Sequence, residues 1–131
     1  DTIAGFDLIV AADVFVYIGN LQEILLNFAK LSSGSDSKTS FLIFSCERID
    51  DTQAAPTGWK LQSSGRYAHS KSYVTSVAEQ AGFDLIRYDE IVPRMEKGEE
   101  VQGHLFVFVI GGAIDEDNVH YEVTMTTADE L

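Results

Sequence analysis

The sequence predicts an α/β fold: a parallel sheet that ends in an antiparallel hairpin, as in the second half of a nucleotide-binding sheet whose first half is absent. Three observations carry this. Two continuous apolar runs, suited to strands covered on both faces, are joined by an amphipathic helix. A second helix follows a long polar stretch. Two final strands are then separated by a loop too short for a helical crossover, so they must pair antiparallel.

The first run is 6–15, Phe-Asp-Leu-Ile-Val-Ala-Ala-Asp-Val-Phe, read as a strand from the sheet centre. Asn20 then stands as an N-cap with Glu23 three residues on, and Leu21, Ile24, Leu25, Phe28 and Leu31 recur at helical spacing until Ser32-Ser33-Gly34. Phe41 to Cys46 is the second strand, aromatic and β-branched. Ser70 caps a helix with apolar positions Tyr73, Val74, Val77, Ala78 and Ala81, and Gly82 takes the left-handed place at its end. Phe83 to Val92 is a strand closed by Pro93, and Val101 to Ile110 is the last. Successive crossovers in one direction put both helices on one face, which leaves the other face bare and makes the first strand a long apolar edge. From that edge we expect poor solubility, a partly molten state, or pairing with a second copy or a partner chain.

Composition bounds the function. The 131 residues, 45% hydrophobic, suffice for one core, and from the lack of an 18-residue apolar stretch and of a basic-then-apolar start we expect neither a membrane span nor a signal peptide in these residues. One cysteine, Cys46, excludes an internal disulfide; on a strand it reads as a buried apolar thiol, not a nucleophile. The formal charge of -12 argues against a nucleic-acid partner. About half of it falls in 112–131, where Asp115, Glu116, Asp117, Glu122, Asp129 and Glu130 meet no Lys or Arg. We therefore divide the chain into a folded part, 1–111, and an acidic tail, 112–131, within which Tyr121 to Met125 could add a short strand.

Beyond this layout, the residues themselves resemble a known family. The run 6–19, through Val16-Tyr17-Ile18-Gly19, is similar to the fourth strand and following loop of class I S-adenosylmethionine-dependent methyltransferases, a Rossmann-like fold. Three further stretches, Ser64 to Ser70, Gln80 to Phe83 and Arg94 to Gly103, resemble a narrower group, predicted methyltransferases often associated with tetratricopeptide repeats. The resemblance runs from about Phe6 to Val109, and no helical repeat occurs in the chain. It implies strands four and five in parallel, a terminal hairpin of strands six and seven, and methyl transfer from S-adenosylmethionine to a small-molecule or protein acceptor by direct displacement, in the cytoplasm. Such chemistry asks mainly for positioning.

The family's glycine-rich turn and its ribose-binding acid are not found here, so the resemblance implies a fragment, inactive alone, without the N-terminal cofactor-binding half. The start at Asp1 suggests a truncated gene model or an excerpt of a larger protein. A noncatalytic α/β interaction module that has lost cofactor binding is the alternative. A dehydrogenase is a third reading, disfavoured by the antiparallel end.

Ligands of such sheets lie at the carboxyl ends of parallel strands. There stand Ala12, Asp13 and Val14, expected from the resemblance to contact the cofactor, and Cys46, Glu47 and Arg48. Asp13 could instead cap a loop, and Glu47 could pair with Arg48. The aperiodic stretch between Asp50 and Ser70, roughly twenty residues long, reads as a lid or binding loop. Trp59, Arg66 and Glu47 are candidates for the acceptor, with Tyr67 and His69 as catalytic candidates and His69 the proton acceptor. Alternatively Tyr67 and His69 anchor the loop to the helix. His104 and His120 read as structural or exposed, and no residues show metal-ligand spacing.

Overall fold

The computed structural model describes residues 6–33 and 39–111. The acidic tail and its expected short strand lie outside them. The elements run β1 (Leu8–Ala11), a 3-10 turn (Phe15–Tyr17), α1 (Gln22–Ser33), β2 (Thr39–Arg48), α2 (Asp51–Ala54), β3 (Trp59–Leu61), β4 (Tyr67–His69), α3 (Lys71–Gln80), β5 (Asp84–Glu96) and β6 (Glu99–Gly111).

β2 is the centre of the sheet. On one side it pairs in parallel with β1, Leu8 facing Phe41 through Ala11 facing Phe44, and further on with β4 at Glu47 and Arg48. On its other side β6 runs antiparallel from Gly111 to Gly103. β5 lies beyond β6, also antiparallel to it. The crossover through α3 therefore skips one position, and the returning β6 fills it. The expected antiparallel pair is present.

Both helices lie on one face, as expected. Leu21 and Leu25 with Val74, Val77 and Ala78 enclose Phe15, Leu42, Phe44, Cys46, Phe106 and Phe108. Phe44 stacks on Phe106 and Phe108 at centroid distances of 5.3 and 5.7 Å. The opposite face is bare over β1, where Leu8 and Val10 are 54% and 60% exposed, but not over β6, where Val107 and Val109 are buried.

Four expectations need correction. The first strand is four residues long and not enclosed, because the backbone leaves the sheet at Asp13 in a left-handed conformation (φ 55°) and its last apolar residues form the 3-10 turn. Pro93 does not end β5. It sits in a bulge between the Ile91 and Arg94 pairings, where its missing N–H costs no ladder bond. The hairpin closes instead at Lys97-Gly98, both at positive φ (52° and 79°), the two-residue turn whose twist suits antiparallel strands. Finally, 50–70 is not an aperiodic lid. Asp50 makes a capping box with Gln53 that starts α2, and β3 and β4 form a small hairpin extending the sheet.

Capping follows the sequence. Ser70 Oγ accepts the Tyr73 N–H. Gly82, at φ 100°, ends α3 as the Ala78 carbonyl accepts from Phe83 and the Glu79 carbonyl from Gly82. Asn20 Oδ1 accepts the Gln22 N–H at 3.0 Å.

Candidate functional site

The carboxyl ends of β1 and β2 bring two acids together through one cation. Asp13 follows β1, with its left-handed backbone, a conformation that Asp tolerates better than most residues. Its side chain is 70% exposed, and Oδ1 accepts from Arg94 Nη1 at 3.0 Å. The second guanidinium nitrogen, Nη2, donates to Glu47 Oε2. Glu47 is buried, and its Oε1 accepts from Gln62 Nε2 at 3.0 Å. A buried carboxylate survives only when paired and hydrogen-bonded, and here both oxygens are engaged.

Local structure aims these groups. The bulge at 92–93 resets the alternation of β5 before Arg94. Gly103 on β6 lets the strands close there, since a Cβ would lie 2.9 Å from the Pro93 ring and 3.1 Å from the Cys46 carbonyl. Gln62, in the β3–β4 turn, also donates to the Arg66 carbonyl at 3.2 Å, and Arg66 pairs with Glu96 at 3.1 Å. A groove of about 520 Å³ lies beside Glu47, lined further by Gln62, Ser64, Glu96, Glu99 and Gln102.

Of the expected site residues, Ala12, Asp13 and Val14 are all exposed at the end of β1. Glu47 joins them, but not as expected. Its partner is not Arg48, because neighbours in a strand point to opposite faces. Arg48 instead donates to the Gly103 carbonyl and to Gln102 Oε1, at 3.3 and 2.9 Å, and lies 3.6 Å from Glu90.

Trp59, Tyr67 and His69 are drawn away from this cluster. His69 is wholly buried, and its Nε2 lies 2.8 Å from the Ile18 carbonyl and 3.0 Å from that of Gly19, so the ring is an N–H donor to both. Burial holds its pKa below the ordinary value, partly offset by those two bonds, and Nδ1 is buried without a partner. A ring with no exposed nitrogen cannot reach an acceptor; it anchors the loop after β1. Trp59 packs on the same loop, its ring so near Gly19 that a Cβ there would lie 2.6 Å away. Tyr67 meets Trp59 edge-on at 5.7 Å. These three brace the loop from behind, and Arg66 is tied to the hairpin.

His104 is structural, as expected. It is buried among Tyr88 and Phe106, 3.2 Å from the Tyr88 hydroxyl, and its pKa is pushed down to about 3, first by burial. The Cys46 thiol is pushed up by burial, which makes it a poor nucleophile. Among the described residues no group of His, Cys, Asp and Glu is arranged to hold a metal ion, and no helix is long and apolar enough to cross a membrane. Arg94 and Gln62 are the site residues that the sequence reading assigned no role. Both are distant in sequence from the acids they serve, and only the cation beside Pro93 near a strand end hinted at one of them.

No protein-family model matches the sequence, and no curated protein is significantly similar to it. Solved structures do match. Magnesium protoporphyrin IX methyltransferase from Synechocystis PCC 6803, with bound S-adenosylhomocysteine, superimposes with a TM-score of 0.52 at 14% identity, over 84% of this chain and 47% of that one. A SAM-dependent methyltransferase from Methanosarcina mazei gives 0.56 at 11% identity, over 82% and 60%. The glycopeptide N-methyltransferase MtfA, complexed with S-adenosylmethionine, gives 0.58 at 10% identity, over 86% and 57%. This chain thus spans about half to three-fifths of their lengths. Its fold is that of the later strands of a class I methyltransferase, a partial Rossmann-like sheet, as the resemblance implied.

Proposed function

From that fold, we propose that the chain is the acceptor-facing part of a methyltransferase that uses S-adenosylmethionine and acts on a small-molecule or protein acceptor in the cytoplasm. The observation that carries this is the placement of the Asp13 and Glu47 carboxylates at the carboxyl ends of neighbouring parallel strands, joined by Arg94. The ligands named for the Synechocystis and MtfA structures support the choice of cofactor.

The residues at the end of β1 suit that cofactor in kind. It carries a sulfonium and an ammonium, and the exposed Asp13 carboxylate offers opposite charge between the apolar surfaces of Ala12 and Val14. When bound, the cofactor would supply an electrophilic methyl group. The chain's own part is positioning: Asp13 is held by Arg94, and the loop behind it by His69 and Trp59. The groove beside Glu47 is the acceptor's place, lined by Gln62 and the hairpin tip. We further propose that the 131 residues alone do not turn over, because they contain no glycine-rich turn opening a helix.

Calorimetry with S-adenosylmethionine tests this, comparing the 131-residue chain with a polypeptide that also carries any coding sequence upstream of Asp1. Binding by the longer polypeptide only supports the reading. Binding by neither rejects it, and favours a second reading: a noncatalytic module that pairs with another chain through β1, whose Leu8 and Val10 are exposed.

A further inference from the structure

Arg94 touches both acids of the candidate site, reaching Asp13 across 81 positions and Glu47 across 47. The arrangement is built rather than incidental. The bulge at 92–93 turns Arg94, Gly103 admits the approach, and the Glu47 oxygen that Arg94 leaves free accepts from Gln62. Asp13 by contrast has little else to hold it: its N–H reaches Ser45 Oγ only at 3.5 Å, and its side chain is mostly in solvent. A carboxylate so exposed samples several rotamers unless a fixed donor selects one.

We propose that Arg94 is a positioning residue, with Glu47 as the buried counter-charge that fixes its guanidinium so that the other end of the fork orients the Asp13 carboxylate beside β1. The inference rests on the methyltransferase reading for what Asp13 is oriented toward, but the orientation itself can be measured without it. A planar fork can serve two carboxylates at once; an ammonium serves one. Arg94→Lys therefore separates the two ends. Lysine still opposes the buried Glu47 and preserves the fold, while Asp13 loses its donor.

The experiment uses the full-length protein with Arg94→Lys, Asp13→Asn and the double variant. The Hα–Hβ couplings of Asp13, which report its χ1 rotamer, should move toward rotamer-averaged values in Arg94→Lys, with the β2 and β6 amide exchange and the melting temperature close to wild type. Calorimetry with S-adenosylmethionine should show each single variant weakened about tenfold and the double variant no weaker than Asp13→Asn alone, since Arg94 acts on the cofactor only through Asp13. Should Arg94→Lys not fold, the pair Glu47→Gln with Arg94→Gln removes the buried charge together with its partner, and must show the same pattern. Unchanged couplings at Asp13 overturn the proposal, as does cofactor affinity in Arg94→Lys equal to wild type. If wild type itself does not bind cofactor, the methyltransferase reading falls, and the coupling result alone decides whether Arg94 orients Asp13.

Discussion

The Leu21 backbone N–H donates to the Tyr73 hydroxyl at 2.9 Å, joining the start of α1 to α3 across 52 positions of sequence. The first N–H groups of a helix have no partner within it, so a tyrosine from another helix does here what a capping side chain does elsewhere. The same hydroxyl lies 3.4 Å from Asn20 Oδ1, which serves Gln22. Tyr73→Phe, which keeps the ring, should cost about 1 kcal/mol in urea unfolding. No change in the midpoint would show that water replaces the hydroxyl.

Gly19 has no room for a side chain, since its Cβ would enter the Trp59 ring. Gly19→Ala should cost about 1–3 kcal/mol by overpacking. Trp59 is the chain's single tryptophan, so its fluorescence reports the displacement directly. An unshifted spectrum with wild-type stability would refute the contact.

His69 and His104 are both buried, and burial holds both below the ordinary value of 6.5, His104 to about 3. The sign follows from linkage. In the unfolded chain each titrates at the ordinary value, so as pH falls below 6.5 the unfolded state takes up protons that the folded state refuses. Stability is full above 6.5 and declines as pH falls, for His104 down to about 3. The slope should approach about 1.4 kcal/mol per pH unit for His104 between pH 6 and 4, with His69 adding in the same direction. Urea midpoints between pH 7 and 4 measure it, and His104→Phe, placed among Tyr88 and Phe106, should reduce it to what His69 contributes. A slope unaltered by that change would assign the acid lability elsewhere.

Glu47 is buried and answered by Arg94 and Gln62. Arg94→Ala leaves the carboxylate short of its cation and should cost about 3–5 kcal/mol, whereas removing both charges together, with Glu47→Gln and Arg94→Gln, should cost much less. Equal losses in the two variants would mean that the ion pair is not what Glu47 requires.

β1 presents Leu8 and Val10 to solvent beside an edge that pairs with no other described strand. Such an edge recruits strands from other chains. Leu8→Lys with Val10→Lys should lower self-association of the 131-residue chain in sedimentation velocity; identical profiles would place the contact elsewhere.

What local pattern could determine, it did. The amphipathic spacing around Leu25, the Ser70 cap, Gly82 after α3 and the short link before β6 each act within a few residues, so helices, the second strand and the hairpin were legible, but not that the second strand, β2, is the central one. Pro93 misled because the rule that it ends strands assumes a regular ladder, and the bulge that excuses it arises only where β5 meets β6. The ends of parallel strands pointed to Asp13 and Glu47, since ligand sites follow from sheet direction. Which cation joins them did not follow. Arg94 reaches both only because β6 inserts between β2 and β5 and the bulge in β5 re-aims its side chain, and His69 became an anchor because β4 pairs with β2 and buries it. Turns and periods are properties of neighbours in sequence, whereas ion pairs and burial are properties of neighbours in space, and only tertiary structure decides those.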